Sequence, residues 1–219
     1  MNTRGSMPLP PGQFAGQAFI RFGLGRFLTK PVVHNSPVSL DLAGLVAVPR
    51  TVGGAHLAVL SRITQVSDFH CVTTWSIPGV EWQGVRFADF CAEVAHPLDG
   101  AGTVVFHGRD GYRCALPLAD LMADDVLLAD TLNGAPLGLA HGGPLRLIAP
   151  AHYGYKNVKH LAAIEFRTNR RGYSFPFPYP GLMDHPRGRV ALEERARFVP
   201  NWLIRPIYKL FVPRAITGR

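Results

Sequence analysis

Apolar and polar residues alternate over residues 38–46, where Val38, Leu40 and Leu42 are separated by Ser39, Asp41 and Ala43. A period of two is that of a half-buried strand. Gly53-Gly54 then opens a helix-like stretch with Leu57 and Leu60 on one face. Phe87, Phe90, Cys91 and Val94 fall at i, i+3, i+4 and i+7, which predicts a short amphipathic helix. Residues 103–107 are apolar and β-branched, and Asp110-Gly111 is a hairpin turn signal. Tyr112, Cys114 and Leu116 alternate on the returning strand. Residues 126–132 predict another strand, closed by Asn133-Gly134. Leu145, Leu147 and Ala149 alternate up to Pro150, and residues 161–166 form a further strand. Strands outnumber helices and hairpins mix with crossovers, so the expected class is α+β with a mixed sheet.

The texture changes after Arg167. Residues 173–180, Tyr-Ser-Phe-Pro-Phe-Pro-Tyr-Pro, are an extended, proline-braced run unsuited to a central strand. Residues 191–198 are expected to form one short helix. In residues 201–219, Pro206 and Pro213 interrupt any long helix. The expected organisation is a lead-in over residues 1–37, a domain over 38–167 and a proline- and aromatic-rich arm over 168–219.

Composition sharpens this division. The chain has 219 residues, 47% hydrophobic and 17% charged, enough apolar material for a core and too much for general disorder. The net charge of +8 sits wholly in residues 167–219, because residues 1–166 carry equal numbers of Lys/Arg and Asp/Glu. Without a recognisable nucleic-acid module, nucleic acid is excluded as a partner. An acidic redox partner docked through the basic arm is expected, and peripheral contact with a membrane surface is compatible with the same composition. No run approaches the ~20 apolar residues of a membrane span, and no signal peptide is evident, so a cytoplasmic protein is expected. Three widely spaced cysteines are neither a disulfide framework nor a zinc knuckle.

Cys91 and Cys114 sit on apolar faces and are read as small buried hydrophobes. Cys71 differs, being flanked by His70, Thr73, Thr74 and Ser76, all donors or acceptors. A thiolate in such surroundings is a plausible soft metal ligand. A second cluster follows. Gly142-Gly143-Pro144 makes a tight turn where backbone N–H groups can approach an anion, Arg146 offers a bidentate fork, and Lys156 and Lys159 add point charges. A solvated hairpin with scattered charge has the same composition. His107, Asp110 and Tyr112 are candidates for handling protons, or plain hairpin residues.

Three motifs, His70-Cys-Val-Thr-Thr-Trp-Ser76, His141-Gly-Gly-Pro-Leu-Arg146 and Gly154-Tyr-Lys-Asn-Val-Lys-His160, occur in this order and spacing. Together they resemble the molybdopterin domain of sulfite-oxidase-fold oxidoreductases, in particular the short bacterial members. The resemblance implies a mixed-sheet sulfite-oxidase-type fold and a cofactor of molybdenum with molybdopterin. It implies that Cys71 supplies the protein thiolate to molybdenum and that His141 and Arg146 contact the cofactor. Lys156 and the Asn157-Val158-Lys159 segment would hold its phosphate, and His34 and Asn35 would touch the pterin. Gly108 falls where some relatives place a threonine contact. Val72, Thr73 and Thr74 replace the arginines that receive sulfite in true sulfite oxidases.

The expected activity is therefore oxygen-atom transfer on a small molecule, such as reduction of an S- or N-oxide, with electrons exchanged with a separate partner. A non-catalytic protein that binds or stores the cofactor is the first alternative. Sulfite oxidation is another, and an anion-binding domain without metal is the plainest.

Overall fold

Leu40 and Leu42 are buried while Ser39 and Asp41 face solvent, as the alternation requires. A computed structural model describes residues 8–23, 27, 37–176 and 181–217 of the chain. In chain order its strands are β1 (Phe14–Ala15), β2 (Ser39–Gly44), β3 (Arg50–Gly53), β4 (Arg62–His70), β5 (Trp75–Arg86) and β6 (Thr103–Gly108). They continue as β7 (Arg113–Pro117), β8 (Leu127–Leu132), β9 (Ala135–Pro136), β10 (Arg146–Ile148) and β11 (Leu161–Arg167). Helical elements are short: α1 (Gly54–Ala58), α2 (Phe87–Phe90) running into a π-turn at Cys91–Ala95, α3 (Leu118–Leu121), α4 (Asn201–Lys209) and α5 (Arg214–Thr217).

The strands form two mixed sheets. One has the order β3-β2-β11-β6-β7, with β11 parallel to β2 and antiparallel to β6. The other runs β1-β5-β8-β10, with β4 added on β5 and β9 on β8. Phe87 and Phe90 of α2 pack against Phe106 of β6 and Phe166 of β11, with Phe87 ring centroids 5.7 and 6.4 Å from the latter two. The expected α+β class and mixed sheet are what the chain adopts. Among the described residues no helix is long and apolar enough to cross a membrane.

Several local expectations are corrected. Residues 191–198 form turns instead of a helix, because Glu193 and Phe198 take left-handed backbone angles (φ 49 and 63). Their neighbourhood is tied down by ion pairs: Glu193 binds Arg195 and Arg205, and Glu194 binds Arg189. Helix α4 passes through Pro206, which is tolerated at its exposed face, with Pro200 as N-cap. Of residues 173–180, those up to 176 are described and lack regular secondary structure.

The positive arm is also less free than its composition suggests. Arg187 pairs with Asp120, Arg170 with Asp184, and Arg189 with Glu194. Val190, Ala196, Ile204 and Tyr208 pack on Val72 and Tyr153, so this part of the chain closes over the β4–β5 turn.

Candidate active site

Residues 71–74 form the turn between β4 and β5. The Cys71 N–H donates to the Trp75 carbonyl at 2.8 Å and the Thr74 N–H to the Cys71 carbonyl at 3.2 Å. Thr74 has φ 78, a left-handed conformation that costs a β-branched residue about 1–3 kcal/mol. The surrounding chain holds it there. Gln13 donates to the Cys71 carbonyl (3.1 Å), and the Phe14 N–H to the Thr74 carbonyl (3.0 Å). From the other side the fully buried Arg195 donates to the carbonyls of Val72 (2.9 Å) and Pro11 (3.1 Å). Residues far apart in sequence thus fix one thiol. Its Sγ lies 3.0 Å from the Thr73 hydroxyl, and burial pushes the thiol up to about 11. A bound metal would deprotonate it outright.

Cys71 opens onto a cleft of about 1160 Å³, counting its mouth, whose walls include Trp75, Arg146, Lys159, Phe69 and Tyr155. Arg146 is fully buried on β10, not on a polar face as the pattern of the strand suggested. It donates to the His141 carbonyl at 2.7 Å, and its guanidinium lies over the Trp82 ring at 5.0 Å. Among the described residues its Nε has no hydrogen-bond partner, nor has the buried Nε1 of Trp75. Burial lowers Arg146 to about 9. Lys159 is lowered to about 7, first by burial and then by the charges of Arg146 and Arg21. Among the described residues neither Arg146 nor Lys159 has a carboxylate at salt-bridge distance. Buried charge normally requires a counter-ion. This wall is therefore built to meet an anion.

The other expected residues divide between cleft and scaffold. Asp110, Tyr112 and Asn157 line the cleft with Cys71, Arg146 and Lys159. The Tyr112 hydroxyl donates to the Tyr155 carbonyl (2.7 Å), and Asp110 accepts from the Tyr112 N–H (2.9 Å). The Asn157 amide oxygen accepts from the Ala149 N–H (2.6 Å), and its nitrogen donates to the carbonyls of His152 and Tyr153. Its side chain therefore shapes the loop. His141 stacks on Phe19 at 4.9 Å, and burial, with Lys159 and Arg146 nearby, lowers its pKa.

Four residues stand apart. Lys156 is fully buried, pairs with Asp184 at 2.8 Å and donates to the Ala115 carbonyl; that ion pair answers its charge away from the cleft wall. Val158 is core. His107 faces Glu165 at 3.4 Å, away from the cleft lining. Gly108 is packed too tightly for a side chain, since a Cβ would lie 2.7 Å from the Lys159 carbonyl. The Gly142 and Gly143 N–H groups bond to the carbonyls of Leu139 and Gly138 and so do not face an anion. Gly143 is needed because a Cβ there would lie 2.0 Å from the Leu137 carbonyl. His34 and Asn35 lie outside the described residues.

Sequence reasoning missed Trp75, His160 and Arg195. The first two lie inside the quoted motifs and could have been weighed. Nothing near Arg195 in sequence points to Cys71.

Residues 28–174 match the model of the oxidoreductase molybdopterin binding domain. The chain belongs to this family. It is 37% identical to the uncharacterized oxidoreductase YuiH of Bacillus subtilis, over 65% of this chain and 77% of that protein. It is 33% identical to a protein of Azospira oryzae provisionally named protein-methionine-sulfoxide reductase subunit YedZ1, over 67% and 53%. Mouse mitochondrial sulfite oxidase is 32% identical, over 56% of this chain and 24% of the enzyme. The sulfane dehydrogenase SoxCD of Paracoccus pantotrophus shares the fold, with a TM-score of 0.55 at 23% identity over 60% of this chain and 38% of the other. The chain is an oxidoreductase whose cofactor is molybdenum with molybdopterin.

The residues present fit that group. A phosphate-bearing pterin calls for cations at the cleft lacking their own carboxylates; the buried Arg146 and the half-buried Lys159 are, among the described residues, such a pair. A metal otherwise held by cofactor sulfur calls for one protein thiolate. Among the described residues no group of three or more His, Cys, Asp or Glu could hold a metal, so Cys71 with a cofactor-borne ligand set suits the site.

Proposed function

We propose that this oxidoreductase moves an oxygen atom from a neutral organic S- or N-oxide, with Cys71 as the protein ligand to molybdenum. The observation that carries the reading is the Cys71 thiol, buried at a cleft whose walls hold Arg146 and Lys159, neither with a carboxylate at salt-bridge distance among the described residues. The cofactor supplies the oxygen-atom and electron exchange. Arg146 and Lys159 neutralise and orient its phosphate, with Trp75 Nε1 as a further donor. The turn around Thr74 keeps the thiol in place. Asp110, the carboxylate on the cleft wall, is placed to relay a proton toward the departing oxygen. Reduction of a sulfoxide to a sulfide consumes two electrons and two protons and releases water. The electrons come from a separate protein partner.

An organic oxide suits the site better than sulfite. The cleft is walled largely by Phe19, Phe69, Tyr155, Phe175 and Met183. Arg195, packed beside the Cys71 turn, already donates to two carbonyls and to Glu193, so it offers no free fork to a dianion. The similarity to the Azospira protein named for methionine sulfoxide points the same way.

The test is protein purified from a molybdate-replete host, assayed for molybdenum, pterin, visible absorption and dye-driven reduction of methionine sulfoxide. Wild type should be coloured and active. Cys71→Ser should lose the thiolate absorption and turnover while keeping pterin and its melting temperature. Folded wild-type protein that is colourless and free of molybdenum and pterin would defeat the reading.

A further inference from the structure

Helix α4 has its apolar side on the outside. With about 100° between successive residues, Trp202, Pro206, Leu210, Leu203 and Ile207 form one continuous arc of roughly 140°. All five are exposed, Trp202 to 75% and Leu210 to 82%. The narrow opposite side, Ile204 and Tyr208, is what packs on the body. Phe198 (89% exposed) precedes the arc, with the Arg197 guanidinium 4.7 Å from its ring centre, and Phe211 follows it. A soluble surface helix shows the reverse pattern. An exposed apolar patch of this kind marks a docking surface.

Charge around the arc selects the occupant. From residue 195 onward the chain carries six Lys/Arg and no Asp or Glu. Arg197, Lys209 and Arg214 are exposed beside the arc. A shallow groove lined by Asn201, Trp202, Arg205, Pro206 and Lys209 sets two cations against the tryptophan. A second copy of the chain docked by the same face would set these cations against one another. Large apolar side chains flanked by Arg197, Lys209 and Arg214, which among the described residues have no carboxylate at salt-bridge distance, suit the headgroup region of an anionic bilayer, where hydrocarbon takes the arc and lipid phosphates meet the cations.

We propose that α4 docks this protein peripherally on an anionic phospholipid surface, with Trp202, Leu203, Ile207 and Leu210 entering the interface. The basic arm thereby acts on lipid through a built apolar face, and not by charge alone. This rests on α4 and its flanks, independently of the chemistry at Cys71.

Trp202 makes the test direct, because Trp75 and Trp82 are 1% and 0% exposed. The full chain is titrated with vesicles of phosphatidylcholine alone, and of phosphatidylcholine mixed with phosphatidylglycerol. Binding is read by tryptophan emission and by co-sedimentation. The expected result is a blue shift and sedimentation with the anionic vesicles, weakened by salt, and little of either with phosphatidylcholine. Leu210→Ser combined with Ile207→Ser should lower vesicle affinity about tenfold or more, and Lys209→Glu with Arg214→Glu should abolish the preference for anionic lipid. Because these side chains are exposed, the variants should keep the wild-type melting temperature. Absence of any shift or sedimentation at low salt overturns the proposal, as does unchanged binding by the folded Leu210/Ile207 variant. A concentration-dependent dimer lost in that variant, without vesicle binding, would assign the arc to a second copy and overturn it equally.

Discussion

Two interiors of this protein differ in kind. Behind the β3-β2-β11-β6-β7 sheet the buried side chains are apolar, and among the described residues Thr103 is the one buried polar side chain on its strands. Around the cleft, by contrast, Thr73, Thr74, Arg146, Asn157, His160 and Arg195 are all buried. Apolar burial stabilises without regard to direction, whereas a buried cation costs free energy unless something answers its charge. Lys156 is answered by Asp184 within the chain, whereas among the described residues Arg146 and Lys159 have no carboxylate at salt-bridge distance. The first interior makes the fold; the second is completed by a ligand.

Substitutions in each interior should therefore act in opposite directions. The largest effect belongs to the sheet core. Phe87 is 0% exposed and packs on Phe90, Phe106 and Phe166. Phe87→Ala should lower stability by about 3–5 kcal/mol, read from the shift of the urea midpoint at constant slope. In the second interior, Lys159→Met should instead raise the stability of cofactor-free protein by about 1–2 kcal/mol at neutral pH, while pterin content falls. A loss of stability on that substitution would mean that the chain itself answers the charge.

The same lysine gives a pH signature. Its folded value is lowered from 10.5 to about 7, so between those limits the unfolded chain holds a proton that the folded chain has released. Stability of the cofactor-free protein then rises with pH across that window, by at most about 1.4 kcal/mol per pH unit. Below pH 7 both states carry the proton and the destabilisation is complete. Denaturant titrations of wild type and Lys159→Met at several pH values should differ by this slope. Parallel curves would remove Lys159 from the anion-binding wall.

Legibility in the sequence followed the range of the interactions. Strands such as β2, β6 and β11 were readable because one or both faces are uniformly apolar. The β4–β5 hairpin was not, since β4 is only half buried and β5 contains Pro78, Gly79 and Gly84, which read as breakers. Cys71, Arg146 and Lys159 stood out through local motifs. Lys156 and Lys159 looked equivalent at a spacing of three, and Asp184, 28 residues beyond Lys156, separates them. Arg195 reaches the Cys71 turn from 123 residues beyond Val72, and no local pattern encodes that. The outward apolar face of α4 was hidden because Pro206 argued against a helix.

The cysteines offer the smallest test of the contrast. Cys71, Cys91 and Cys114 are all buried, and burial raises all three thiols, Cys91 and Cys114 to about 12. Burial alone therefore cannot distinguish a ligand from a core residue. Surroundings can: Cys114 is 0% exposed within the sheet core, where its Sγ lies 3.6 Å from the Ala115 carbonyl. Cys114→Ala removes one sulfur's packing and should cost about 1 kcal/mol, with molybdenum content unchanged. Loss of metal from that folded variant would show that a thiol in the sheet core contributes to the site, and the separation between the two interiors would fail.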